Sequence, residues 1–158
     1  MFPALRPVLN KGGAGKYISR EESVERLQPV IASQLELLRA YDHVGKRIAD
    51  ANATQYFDEV ILPRLRTELN KLYETVFSLG GSAPTGAAMD WTASDLDGDD
   101  VALLKALQVR DRDFGRQLAE EMDAVHHQER TRAILGHNAE MADVRLGALR
   151  KLLATLGR

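Results

Sequence analysis

The acidic residues carry most of the chemistry this chain could perform. It has no cysteine and only four histidines. Thiolate zinc sites, iron–sulfur clusters, disulfides and cysteine nucleophiles are therefore excluded, and a metal would have to be held by oxygen and imidazole. A carboxylate-bridged pair of iron or manganese ions takes a glutamate from each of two helices and a Glu-x-x-His from each of two others. The three-residue step sets both ligands on one helix face, and the charged carboxylates offset the metal charge. No glutamate here has histidine three positions on: Glu36, Glu68, Glu129 and Glu140 are followed at that step by Arg39, Lys71, Arg132 and Asp143. The standard dinuclear constellation is absent from the sequence.

Other motifs carry less. His126 with Glu129 and His137 with Glu140 share helix faces, but each is an isolated pair, and the adjacent His126 and His127 diverge by about 100° on a helix. His43 reads as a solvated flank residue. Asp95-Leu96-Asp97-Gly98-Asp99-Asp100 invites a calcium reading, yet counting from Asp95 the sixth and twelfth places hold Asp100 and Ala106 where glycine and glutamate belong. Capping of the following helix is the simpler role for these aspartates. Gly15-Lys16 lacks the first glycine, the Ser/Thr and the preceding strand of a phosphate-binding loop. The serines show no nucleophile-elbow pattern.

The elements that must position these residues are helices. At 158 residues, 44% apolar and 28% charged, the chain suits one globular domain with one continuous core. A net charge of −2 with interspersed signs predicts no nucleic-acid partner. No run approaches a membrane span or a secretory signal, which predicts no membrane association and a cytoplasmic location. Residues 1–18, rich in glycine and proline, are expected to form a flexible arm, and 19–158 the helical domain. Ser19-Arg20-Glu21-Glu22 has capping-box spacing, and a first helix is predicted from there to about Ala51, kinked or restarted at Pro29. A second should start after Asn52 or Thr54 and stop at Gly80-Gly81, with Leu62, Leu65, Leu69, Leu72, Val76 and Leu79 as its seam. Ser82 to Asp100 reads as a long connection. A third helix is predicted over about Asp100 to Asp123 and a fourth over about Val125 to Leu156, with a break at Gly136-His137-Asn138 as the alternative.

Two helical hairpins joined by a long middle connection, together with Leu72 through Pro84 (LYETVFSLGGSAP), resemble the ferritin-like superfamily and a bacterial four-helix-bundle branch of it. The expected fold is thus all-α, a ferritin-like four-helix bundle with a long crossover between helices 2 and 3. The resemblance places Leu38 and Tyr41 at the level of the inward glutamate and following aromatic of helix 1, and Leu65 and Glu68 at the Glu-x-x-His of helix 2. Asp111, among Leu107, Phe114 and Leu118, should face inward on helix 3. Glu140 and Asp143 have ligand spacing on helix 4. Glu68, Asp111, Glu140 and Asp143 are therefore the candidate metal ligands, with Arg145 as a counter-charge that would pair with Asp111 or Glu140 and turn the cluster into ion pairs instead.

The resulting expectation is a non-catalytic ferritin-like bundle with a structural or interaction role, forming homo-oligomers and lacking a complete dinuclear site. No catalytic residue and no cofactor is predicted. A metal-binding protein holding iron or manganese at an atypical carboxylate site is the first alternative, and a carrier of a small apolar ligand the second.

Overall fold

The structure is a computed structural model that describes residues 20–83, 96–125 and 128–156. The arm predicted over 1–18, the capping serine Ser19, and His126 and His127 lie outside the described residues. Helix α1 (Arg20–Gly45) is followed by α2 (Ala51–Tyr56), a π-helical turn (Phe57–Ile61) and α3 (Leu62–Ser78), which together make the second helix of the bundle. Helices α4 (Asp100–Ala124) and α5 (Glu129–Leu156) complete it.

The first helix ends earlier than its apolar pattern implies, at Gly45 rather than Ala51. Asp50 starts the next helix instead: its carboxylate accepts a hydrogen bond from the Ala53 N–H, satisfying one of the donors that a helix start leaves without a partner. Gly45 lies so close to Phe57 that a Cβ there would sit 3.3 Å from the ring. Pro29 faces solvent inside an unbroken α1. The irregularity falls in the second helix, where Pro63 follows the π turn. Proline cannot donate to the carbonyl four residues back, and its ring crowds that group. The widened turn brings Phe57, Ile61, Leu62 and Leu65 into the core. The fourth helix starts at Glu129, not Val125, and runs through Gly136-His137-Asn138 without a break.

Hydrogen bonds fix the topology. The Gln28 side chain donates to the Ser82 carbonyl at 2.6 Å, and Gly81 sits against Val24, so the start of α1 lies beside the end of α3 and the first two bundle helices are antiparallel. The Asp100 carboxylate accepts from the Ala49 and Asp50 N–H groups at 2.9 and 3.0 Å, which ties the start of α4 to the turn after α1. Arg26 meets Glu121 at the opposite end. Helix α4 therefore runs antiparallel to α1 and parallel to the second helix, as a crossover connection requires. Both described ends of that connection touch α1, through Ser82 and through the Leu96 carbonyl beside His43 Nε2. The aspartates read for calcium act as backbone partners: Asp97 accepts from Gly98 N–H, Asp99 caps α4 at Ala102, and Asp100 makes the tie above. Asp95 lies outside the described residues. No described helix is long and apolar enough to cross a membrane.

Leucine-rich stripes from all the helices form the core, including Leu27, Ile31, Leu65, Leu72, Leu104, Leu107, Leu118, Leu135 and Leu149. Helices α4 and α5 pack closely, whereas the second helix and α5 touch little and leave grooves between them.

Candidate functional site

Six polar side chains are buried in the middle of the bundle: Gln34 and Tyr41 on α1, Glu68 on α3, Asp111 on α4, and Asn138 and Arg145 on α5. Every bundle helix contributes. The periodicity that builds the core also places these groups. Gln34 and Tyr41 follow Leu27 at seven-residue steps, and Asn138 and Arg145 are likewise seven apart, on the stripe that carries Thr131, Leu135, Ala142 and Leu149.

Arg145 is the hub. Its Nε donates to Asp111 Oδ2 at 2.7 Å and its Nη2 to Asp111 Oδ1 at 2.9 Å, a bidentate fork. Its Nη1 reaches Glu68 Oε1 and Oε2 at 3.0 and 3.2 Å. The Tyr41 hydroxyl donates to Asp111 Oδ2. Gln34 Nε2 donates to Glu68 Oε1 at 3.1 Å, and Asn138 Nδ2 donates to Gln34 Oε1 at 3.0 Å. Asn138 Oδ1 is the one atom of these six side chains that is buried without a partner among the described residues. The Tyr41 ring packs against Phe57 of the π turn, with centroids 5.6 Å apart.

Burial and charge act on this network in opposite directions. Burial pushes the Glu68 carboxyl above the usual glutamate range, and the Arg145 charge and hydrogen bonds offset only part of that. Burial, reinforced by the adjacent Asp111 charge, holds the Tyr41 phenol well above its ordinary value, so it remains a donor at physiological pH. For Arg145, burial works against the charged form but is outweighed by the hydrogen bonds and charge of Asp111 and the charge of Glu68, and the guanidinium is held more firmly protonated than usual. With both acids ionised the cluster carries one negative charge; a proton on Glu68 makes it neutral.

Of the four candidate ligands, the structure brings two together. Glu68 and Asp111 converge on Arg145 from different helices, whereas Glu140 and Asp143 are exposed. The reason is angular: two residues along a helix are about 200° apart. With Ala142 and Arg145 facing the core, Glu140 (two before Ala142) and Asp143 (two before Arg145) must face out. On α1 the residue at the level of Glu68 is Gln34, not Leu38, which is only partly buried. Leu65 is buried one turn from Glu68. His137 is exposed, and His43 is half-buried against the Leu96 carbonyl.

This donor set does not fit a dinuclear metal centre. It offers two carboxylates and no imidazole, and a guanidinium lies between the carboxylates and occupies their inward oxygens. Among the described residues, no three His, Cys, Asp or Glu side chains are grouped to hold a metal ion.

No protein-family model and no curated protein matches the chain. Among solved structures, it is similar to a crystal structure described as ferritin like, diiron-carboxylate proteins from Bacillus anthracis str. Ames. The TM-score is 0.70 over 85% of this chain and 96% of that one, at 14% sequence identity. The fold of this chain is accordingly the ferritin-like four-helix bundle expected from its crossover and from its Leu79 to Pro84 segment.

Proposed function

We propose that this protein is a non-catalytic ferritin-like bundle with a structural or interaction role, in which Arg145 supplies internally the positive charge that buried acids in this fold require. One observation supports this most directly: the guanidinium of Arg145, on α5, bridges Asp111 on α4 and Glu68 on α3. Two buried carboxylates need a countercharge, and a tethered arginine provides it without a ligand set for metal. The one hydroxyl set against a carboxylate, Tyr41 on Asp111, is fully buried, and that carboxylate is already held by Arg145. The network's hydrogen bonds join four helices, and their chemical effect is to set helix register and hold charge.

The competing reading takes its motive from the solved neighbour, described as diiron-carboxylate proteins. In that reading Arg145 would swing away and iron or manganese would bind at Glu68 and Asp111. Metal analysis of protein purified without chelator, followed by anaerobic ferrous loading and exposure to oxygen, separates the two. We expect substoichiometric metal and no oxidation faster than free iron shows. Two irons per chain with rapid oxidation would overturn the proposal. An apolar ligand would find room in a groove of about 480 Å³ lined by Tyr56, Val144, Ala148 and Leu152, and native mass spectrometry of the purified protein would reveal a retained one.

A further inference from the structure

Glu140 and Asp143, left out of the core, belong to a surface pattern of their own. Viewed down α5, the direction opposite the buried stripe carries Ala133, Glu140, Val144, Gly147 and Lys151, with His137, Ala148 and Thr155 slightly to one side. Val144 is 47% exposed, one of the few large apolar side chains left open. A Cβ on Gly147 would meet nothing within 4 Å, so a second helix can approach closely there. Grooves of about 480 and 430 Å³ run along the second-helix side of this stripe, and both are lined by Val144.

The charges along the stripe are ordered. The acids Glu140 and Asp143 precede the small residues, and the bases Arg150 and Lys151 follow them. All four are exposed, and none makes an ion pair within the described residues. They cannot pair with each other along their own helix. Glu140 and Lys151 are separated by about 16 Å of rise, and Asp143 and Arg150 by about 10 Å. The same order suits a second copy of α5 laid antiparallel. With a two-fold axis near residue 146, Glu140 faces Lys151 of the partner, Asp143 faces the partner's Arg150, and Val144 meets the partner's Ala148 across Gly147. Because a two-fold contact is self-complementary, every pair occurs twice and four opposite-charge pairs flank one apolar centre. Antiparallel helices bring like-sided flanks together, and Asp143 and Arg150 do lie on one side of the stripe.

We propose that the His137–Thr155 face of α5 is a homodimer interface, packed antiparallel about residue 146 and set in register by the Glu140–Lys151 and Asp143–Arg150 pairs. This names the partner in the interaction role proposed above and rests on that reading. The contact strip is about 27 Å long and one helix wide, on the order of 300–400 Å² per copy against the roughly 800 Å² of a standard interface. The dimer should therefore be reversible and sensitive to concentration and salt.

Sedimentation equilibrium of the full chain tests it. The wild type should dimerise reversibly, and more weakly as salt is raised. Glu140→Lys and Lys151→Glu, each confirmed as folded by circular dichroism, should each weaken the dimer by about tenfold or more, because like charges then meet twice. An equimolar mixture of these two variants should associate again as a heterodimer, since opposite charges are restored at both positions. A wild type that stays monomeric up to millimolar concentration would overturn the proposal. So would a dimer indifferent to both charge reversals, or one that the mixture does not restore. None of these readouts depends on the core, so iron loading in the preceding experiment fails or succeeds separately.

Discussion

Replacing Arg145 by methionine keeps most of the side chain's volume and removes its charge and donors. Glu68 and Asp111 are then buried with no cation between them, and Asp111 retains the Tyr41 hydroxyl while Glu68 retains only Gln34. Breaking a buried ion pair in this way costs about 3–5 kcal/mol, because the remaining charge is stranded. For a chain of this length, that lowers the melting temperature by roughly 10 °C. The sign of the pH dependence follows from linkage. In the wild type the folded Glu68 carboxyl already holds its proton more tightly than the unfolded chain does. Its contribution to stability is thus fully present below the unfolded value of about 4.3 and is lost as pH rises through the higher folded value. Arg145 limits that loss by favouring the ionised form. Without it the folded value climbs further, so the variant's deficit should be greatest at neutral pH and shrink on acidification. Urea unfolding followed by circular dichroism at several pH values, with unchanged slope in denaturant, is the measurement. A variant within about 1 kcal/mol of wild type at neutral pH, or a deficit that does not change with pH, would refute the assignment of Arg145 as the countercharge.

Other perturbations follow from the same contacts. Tyr41→Phe removes one charge-assisted hydrogen bond to Asp111 and should cost about 1.5–3 kcal/mol in chemical denaturation. Replacing Glu68, Asp111 and Arg145 together by Leu, Leu and Met should cost less than Arg145→Met alone, since no charge is then left to desolvate and only the Tyr41 hydroxyl and Gln34 amide lose their acceptors; a triple variant as unstable as Arg145→Met would contradict this. Asp100→Ala frees the Ala49 and Asp50 N–H groups and should cost about 1–2 kcal/mol, with faster amide exchange in the turn after α1. Gly81→Ala would place a Cβ 2.6 Å from Val24 Cγ1 and 2.8 Å from its Cγ2. It should destabilise by about 1–3 kcal/mol, and shortening the neighbour with Val24→Ala should recover part of the loss.

The fold was legible because its signals are local and repeated. Leu62, Leu65, Leu69, Leu72 and Val76 mark one face of a helix wherever they occur, and a long interval between hairpins admits few topologies. Helix ends were less legible. The apolar stripe of α1 continues through Val44 to Ile48, and only the Asp50 cap and the approach of Phe57 to Gly45 end the helix sooner. Periodicity is equally silent about the π turn, because one inserted residue shifts the phase without changing which residue types are buried. Asp111 and its arginine were readable, since a lone acid on a leucine face needs a partner. Gln34 and Asn138 were not singled out, because an amide looks the same on a wet face as in a core. Their signal was spacing: Leu27, Gln34 and Tyr41 lie at equal steps, as do Asn138 and Arg145.

The placing of Glu140 and Asp143 shows where a spacing rule stops being informative. Three residues apart, they share a face, as ligand pairs do, but spacing within a pair does not say which face. That is decided by the nearest residues whose direction is already fixed, here Ala142 and Arg145. Once Arg145 turns inward to the two acids, any residue two positions away turns outward, and Asp143 is lost to the core whatever its chemistry. The inward arginine and the outward acids are thus a single consequence of helix phase. The same rotation that gives the core its own cation leaves two carboxylates on the surface, seven and eleven residues from the bases Arg150 and Lys151 that the geometry of one chain prevents them from reaching.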